Sequence, residues 1–74
     1  MFIHFEDHGQ DFLEWELDRT GKVINSTPFQ PWNWINKQVI NHDRLVIGGI
    51  VHIRDEFGEE TTIKYPVEHI SQSV

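Results

Sequence analysis

Leu13, Trp15 and Leu17 alternate with Glu14, Glu16 and Asp18. This two-residue period is that of a strand with one buried face and one wet face. Asp18-Arg19-Thr20-Gly21 follows, then Lys22-Val23-Ile24. A glycine closing a four-residue turn supplies the positive φ of a hairpin, often with a bulge. A competing helix could start on a capping box at Asp11 and Glu14 and stop at Gly21. On a helical wheel, however, Phe12, Leu13, Trp15 and Leu17 spread over roughly 200° without a clean polar face, so the pattern predicts strand.

The second half repeats this logic. Ile50-Val51-His52-Ile53-Arg54 reads as a strand and Asp55-Glu56-Phe57-Gly58-Glu59 as a turn. In Thr61-Thr62-Ile63-Lys64-Tyr65, Ile63 and Tyr65 alternate with Thr62 and Lys64, a β-rich pattern. Pro66 cannot donate to a ladder and forces a turn or an edge. Val67 and Ile70, three apart, fit a single helical turn or a short final strand. Ile3 and Phe5 mark one face of an opening strand, and Ser71-Gln72-Ser73-Val74 reads as a flexible C-terminal tail after a single domain over 1–70.

The middle of the chain is ambiguous. Residues 28–34 read Pro-Phe-Gln-Pro-Trp-Asn-Trp, which puts Phe29 between two prolines and two of the three tryptophans just after them. Pro31 at a first helical position would start a helix near 31–40 with Trp32, Ile35, Val39 and Ile40 on one face. Alternatively, Asn36-Lys37 turns between strands at 32–35 and 38–41, and this reading is preferred.

Leu45-Val46-Ile47-Gly48-Gly49-Ile50-Val51-His52-Ile53 resembles the Leu-x-x-Gly-x-x-Val segments of small SH3-like barrels, in which a glycine turn opens a long bent strand. The likeness covers about a dozen residues and implies fold alone. The expected architecture is therefore all-β, a small five- to six-stranded SH3-like partly open barrel. An α+β domain with one short helix near 31–40 is the alternative.

Composition narrows function mainly by exclusion. Seventy-four residues make one domain at most, and a chain this small buries only about 60% of its unfolded surface. Without cysteine there is neither a disulfide nor thiol chemistry. A homodimer is one route to added stability. The N-terminal residues lack the basic and apolar regions of a secretory leader, and the apolar runs are too short to span a membrane, so the expectation is a cytoplasmic protein. The net charge is −6, and the six basic residues are scattered singly. With no basic patch, direct nucleic-acid binding and binding to anionic membranes are not expected. Acids concentrate in Glu6, Asp7, Asp11, Glu14, Glu16 and Asp18, and again in Asp55, Glu56, Glu59 and Glu60. Solubility and edge protection account for both clusters without further function.

Candidate chemistry is sparse. His4, Glu6 and His8 have the spacing of ligands on one strand face, but exposed residues near a chain end need no such role, and no metal or other cofactor is expected. Glu14 and Glu16 share a wet face that offers neither burial nor tight pairing to raise a carboxyl pKa. Serine elbows and phosphate-binding glycine loops are absent from the sequence. The chain is accordingly read as a non-enzyme. Aromatic side chains dominate interface hot spots, so the expected role is a protein-interaction module of unknown partner. It would bind through Phe29, Trp32, Trp34 and Phe57 together with an acidic face carrying Glu14 and Glu16, and would suit a basic protein. An acidic DNA-mimic inhibitor of a nucleic-acid-binding protein, or a structural homo-oligomeric subunit, would also suit the composition.

Overall fold

The computed structural model describes residues 1–6, 13–27 and 34–72. Among these residues seven strands form, in chain order β1 (Phe2–Phe5), β2 (Glu14–Leu17), β3 (Val23–Thr27), β4 (Gln38–Val39), β5 (His52–Arg54), β6 (Glu60–Thr62) and β7 (Val67–Ser71). A single 3-10 turn covers His42–Arg44. The strands make two antiparallel sheets, ordered β3-β2-β1-β7 and β4-β5-β6. The all-β expectation is met, with seven strands in two sheets among the described residues in place of the expected five or six, and no α-helix occurs among them. The helix alternative fails where it can be seen. Trp34 to Lys37 form a turn closed by the Lys37 N–H on the Trp34 carbonyl (3.1 Å), with Asn36 at φ 75°. An interior helical residue could not hold that φ. Nor does a helix form after Asp11, because residues 14–17 are β2.

The β2–β3 and β5–β6 turns use one device. The Asp18 carbonyl accepts from the Gly21 N–H (3.0 Å), and the Asp18 N–H donates to the Lys22 carbonyl (2.9 Å). Its Oδ1 accepts from the Thr20 and Lys22 N–H groups, both at 2.9 Å. Asp55 repeats the pattern with Gly58 and Glu59 through its backbone (3.1 and 3.0 Å) and with Phe57 and Glu59 through its carboxylate (2.9 Å each). Gly21 and Gly58 have φ of 89° and 84°, which an L-residue adopts only with strain. The bulge expected with the first turn lies between Glu16 and Leu17, where the register against β3 shifts.

The two sheets are stitched at two places. The Val23 N–H donates to Lys37 and the Val39 N–H to Gly21, each at 2.9 Å, so the start of β3 carries β4. At the other side, the Gly48 N–H donates to Val67 (2.7 Å) and the Val67 N–H to Gly49 (3.0 Å). The core lies between the sheets. It comprises Ile3, Phe5, Trp15, Leu17, Val23, Val39, Val51, Ile53, Ile63 and Val67. Phe5 meets Trp15 edge-on, with centroids 4.9 Å apart and planes at 74°, the favourable T-shaped contact. Ile3, Phe5, Trp15 and Leu17 thus occupy the buried positions that alternation assigned to them. Val67 opens a strand rather than a helical turn. That strand runs through Ser71, so the segment read as a tail begins inside it, while residues 73–74 lie outside the described residues.

Candidate functional site

The most exposed large apolar side chain among the described residues is Phe57, 91% accessible at the tip of the β5–β6 turn. The turn itself puts it there. Asp55 fixes the backbone on both sides, Gly58 completes the reversal, and the ring is left with no neighbouring element to cover it. Asp55, Glu56, Glu59 and Glu60 surround it in sequence.

Trp34 is half-buried. Its ring packs on Trp15 with centroids 5.3 Å apart and planes tilted by 40°, so it covers the core from one side. Its remaining surface lines an open groove of about 300 Å³ with Lys37, Ile53, Asp55, Glu59 and Thr61. The groove therefore runs from the Trp34–Lys37 turn to the hairpin that carries Phe57. Its floor is apolar, from Trp34 and Ile53, and its far end is acidic, from Asp55 and Glu59.

The structure brings Trp34 and the Phe57 turn to one surface and leaves Glu14 and Glu16 elsewhere. Both glutamates project from the outer face of the other sheet, because Trp15 and Leu17 take the inner positions of β2. Glu14 stands opposite His4. The His4 ring lies between two carboxylates, Nδ1 at 3.7 Å from Glu14 and Nε2 at 3.6 Å from Glu68. Glu16 borders a second open groove of about 600 Å³, lined also by Leu17, Asp18, Arg19, Ile24 and His42. The acids that accompany the aromatic groove are those of the 55–60 turn. Phe29 and Trp32, also expected at the binding surface, lie outside the described residues.

His8 of the spaced His-Glu-His set also lies outside the described residues. Among the described residues, no group of three or more His, Asp or Glu is arranged to hold a metal ion. No helix there is long and apolar enough to cross a membrane.

Sequence reasoning missed Lys37, Ile53 and Thr61 as groove residues. Only the pairing of β5 with β6 places Ile53 opposite Thr61, and only the Asn36 turn turns Lys37 toward them. Val46 and Ile47 belong to the segment that resembles the glycine turns of SH3-like barrels. They stand 62% and 66% exposed at a turn where the Gly49 N–H donates to the Val46 carbonyl (2.9 Å). The glycine pair was the available signal, since Gly48 adopts φ 84° and reverses the chain there. No known protein family matches the chain, and neither the curated proteins nor the solved structures contain a match to it.

Proposed function

We propose that the chain is a small, non-enzymatic protein-interaction module that binds through the aromatic groove and the acidic turn beside it. The observation that carries this reading is Phe57, held almost fully in water by a turn locked on both sides by Asp55. A domain this small gains stability from each ring it buries. Phe57 contributes nothing to that core, while its fixed backbone lowers the entropy cost of docking. Trp34 supplies a second aromatic surface at the adjoining groove. The finer fold reading, a partly open SH3-like barrel, is supported by the two seams that join the sheets at Val23 and Val67. In small barrels of that kind, an aromatic groove suits peptide recognition.

The arrangement of acids favours this module over the DNA-mimic reading. Mimicry calls for carboxylates along one continuous stripe. Here Glu14, Glu16 and Glu68 lie on one sheet and the 55–60 acids on the other, with Arg54 paired to Glu60 at 3.4 Å and Lys37 in the groove.

The test is to immobilise the full chain and compare the proteins retained by wild type and by Phe57→Ser, with duplex DNA as competitor. A partner retained by wild type, lost on Phe57→Ser and undisplaced by DNA is the expected result. Retention of the same proteins by both would overturn the reading, and displacement by DNA would replace it with mimicry.

A further inference from the structure

The β5–β6 hairpin has a strict hydrogen-bonding phase. Asp55 bonds Glu59 at the turn and the Ile63 N–H bonds the Val51 carbonyl (2.9 Å), with Ile53 opposite Thr61 between them. Bonded and non-bonded pairs alternate in an antiparallel ladder. Glu60 and Thr62, opposite Arg54 and His52, are therefore the non-bonded pairs. Their N–H and C=O groups point away from β5. β6 is the last strand of its sheet, all three of its residues are exposed, and among the described residues no strand covers that edge.

We propose that this edge of β6 accepts an extended, basic segment of a partner protein as an added strand, an inference that rests on the interaction-module reading. Main-chain bonds to Glu60 and Thr62 would set the register, and alternate side chains would supply specificity. Side chains on one face of the added strand would lie over Thr61 and toward Trp34 and Ile53, which line the groove with it. These positions suit apolar residues. The occupant is basic by charge complementarity. Around the edge, Asp55, Glu56, Glu59 and Glu60 outnumber Lys37, Arg54 and Lys64. Arg54 is already engaged by Glu60, whereas Glu56 and Glu59 make no ion pair among the described residues. A second copy of the chain is a poor occupant. In a parallel pairing of β6 with itself Glu59 and Glu60 would face their own counterparts, and in either direction both copies carry the same net charge of −6, so like charge opposes the pairing.

The probe is an end-capped heptapeptide of alternating Lys and Val, titrated into the full chain and followed by amide NMR shifts and hydrogen exchange. The expected result is saturable binding with slowed exchange at Glu60 and Thr62. It should weaken about tenfold when the peptide is N-methylated on the nitrogens of one edge, and similarly in Thr62→Pro, whose missing N–H belongs to no bond with β5. The N-methylated peptide keeps the test valid if Thr62→Pro fails to fold. A peptide with Glu in place of Lys should not bind. Binding that N-methylation leaves unchanged, with shifts confined to Trp34 and Phe57, would overturn strand addition yet leave the module reading standing. No binding at millimolar peptide would overturn the inference, as would shifts at Glu60 and Thr62 that follow protein concentration alone and mark self-pairing. Neither result bears on the capture lost in Phe57→Ser, which tests the module by itself.

Discussion

Gly21 and His42 are packed so closely that a Cβ added at residue 21 would stand 2.6 Å from the His42 Cγ and 2.8 Å from the Val39 carbonyl oxygen. The turn of the first sheet is thus pressed against the strand and the 3-10 turn that follow in the second. Gly21 serves two demands at once, a φ of 89° and this approach.

Gly21→Val should therefore cost well over about 1 kcal/mol, from backbone strain and overlap together. Gly58→Ala is the matched control. Gly58 has nearly the same φ, but nothing lies within 4 Å of an added Cβ. Its cost should stay near about 1 kcal/mol, the positive-φ penalty alone. Urea midpoints of the two variants measure the difference, and equal losses would mean that the packing on His42 contributes nothing.

Asp18 links the same turn to pH. The Thr20 hydroxyl (2.7 Å) and then the Lys22 N–H hold its carboxyl below the ordinary value of 3.8. A carboxyl lowered on folding contributes its full stability above the unfolded value and loses it as pH falls through the lowered folded value. Asp18→Asn keeps an oxygen acceptor but removes the charge. Its deficit against wild type should be constant from neutral pH down to about 5 and shrink as pH falls below 3.8. Denaturation midpoints at several acidic pH values would check this, and a deficit that grows toward low pH would contradict it.

Trp34 and Phe57 should separate by stability. Trp34→Ala removes the ring that covers Trp15 and should cost about 2–3 kcal/mol. Phe57→Ala removes a ring that touches no core and should change stability by less than about 0.5 kcal/mol. Partner binding is expected to suffer in both. Only the Phe57 variant reports on the interface free of any effect on the fold, and thermal denaturation of the pair establishes this.

Ser26 is buried opposite Trp15, and its Oγ has no hydrogen-bond partner among the described residues. A buried hydroxyl without a partner keeps its desolvation cost. Ser26→Ala should leave stability unchanged or raise it by up to about 1 kcal/mol, measured by the shift in melting temperature. A loss above that size would show that the hydroxyl is bonded in solution.

Much of the fold was legible because its signals are local. The Asp-x-x-Gly turns at 18–21 and 55–58 carry their own acceptor and their own positive-φ residue, so four residues suffice to specify each. Ile3, Phe5, Trp15 and Leu17 could be assigned to the core from alternation, which is a property of a single strand. The binding surface was only half legible. Phe57 announced itself as an aromatic at a turn among acids. Glu14 and Glu16, which share a period with Trp15, carried no indication that their face lies on a different sheet from the aromatic groove.

By itself the sequence determined that residues 14–17 extend, that the chain reverses at 18–21 and 55–58, and that Ile3, Phe5, Trp15 and Leu17 avoid water, because neighbouring residues decide those outcomes. Only the tertiary structure decided that β3 hands over to β4 at Val23, that Trp34 closes over Trp15, and that β6 ends its sheet with Glu60 and Thr62 facing outward. Those arrangements depend on hydrogen bonds and contacts between residues far apart in the chain, which no local period encodes.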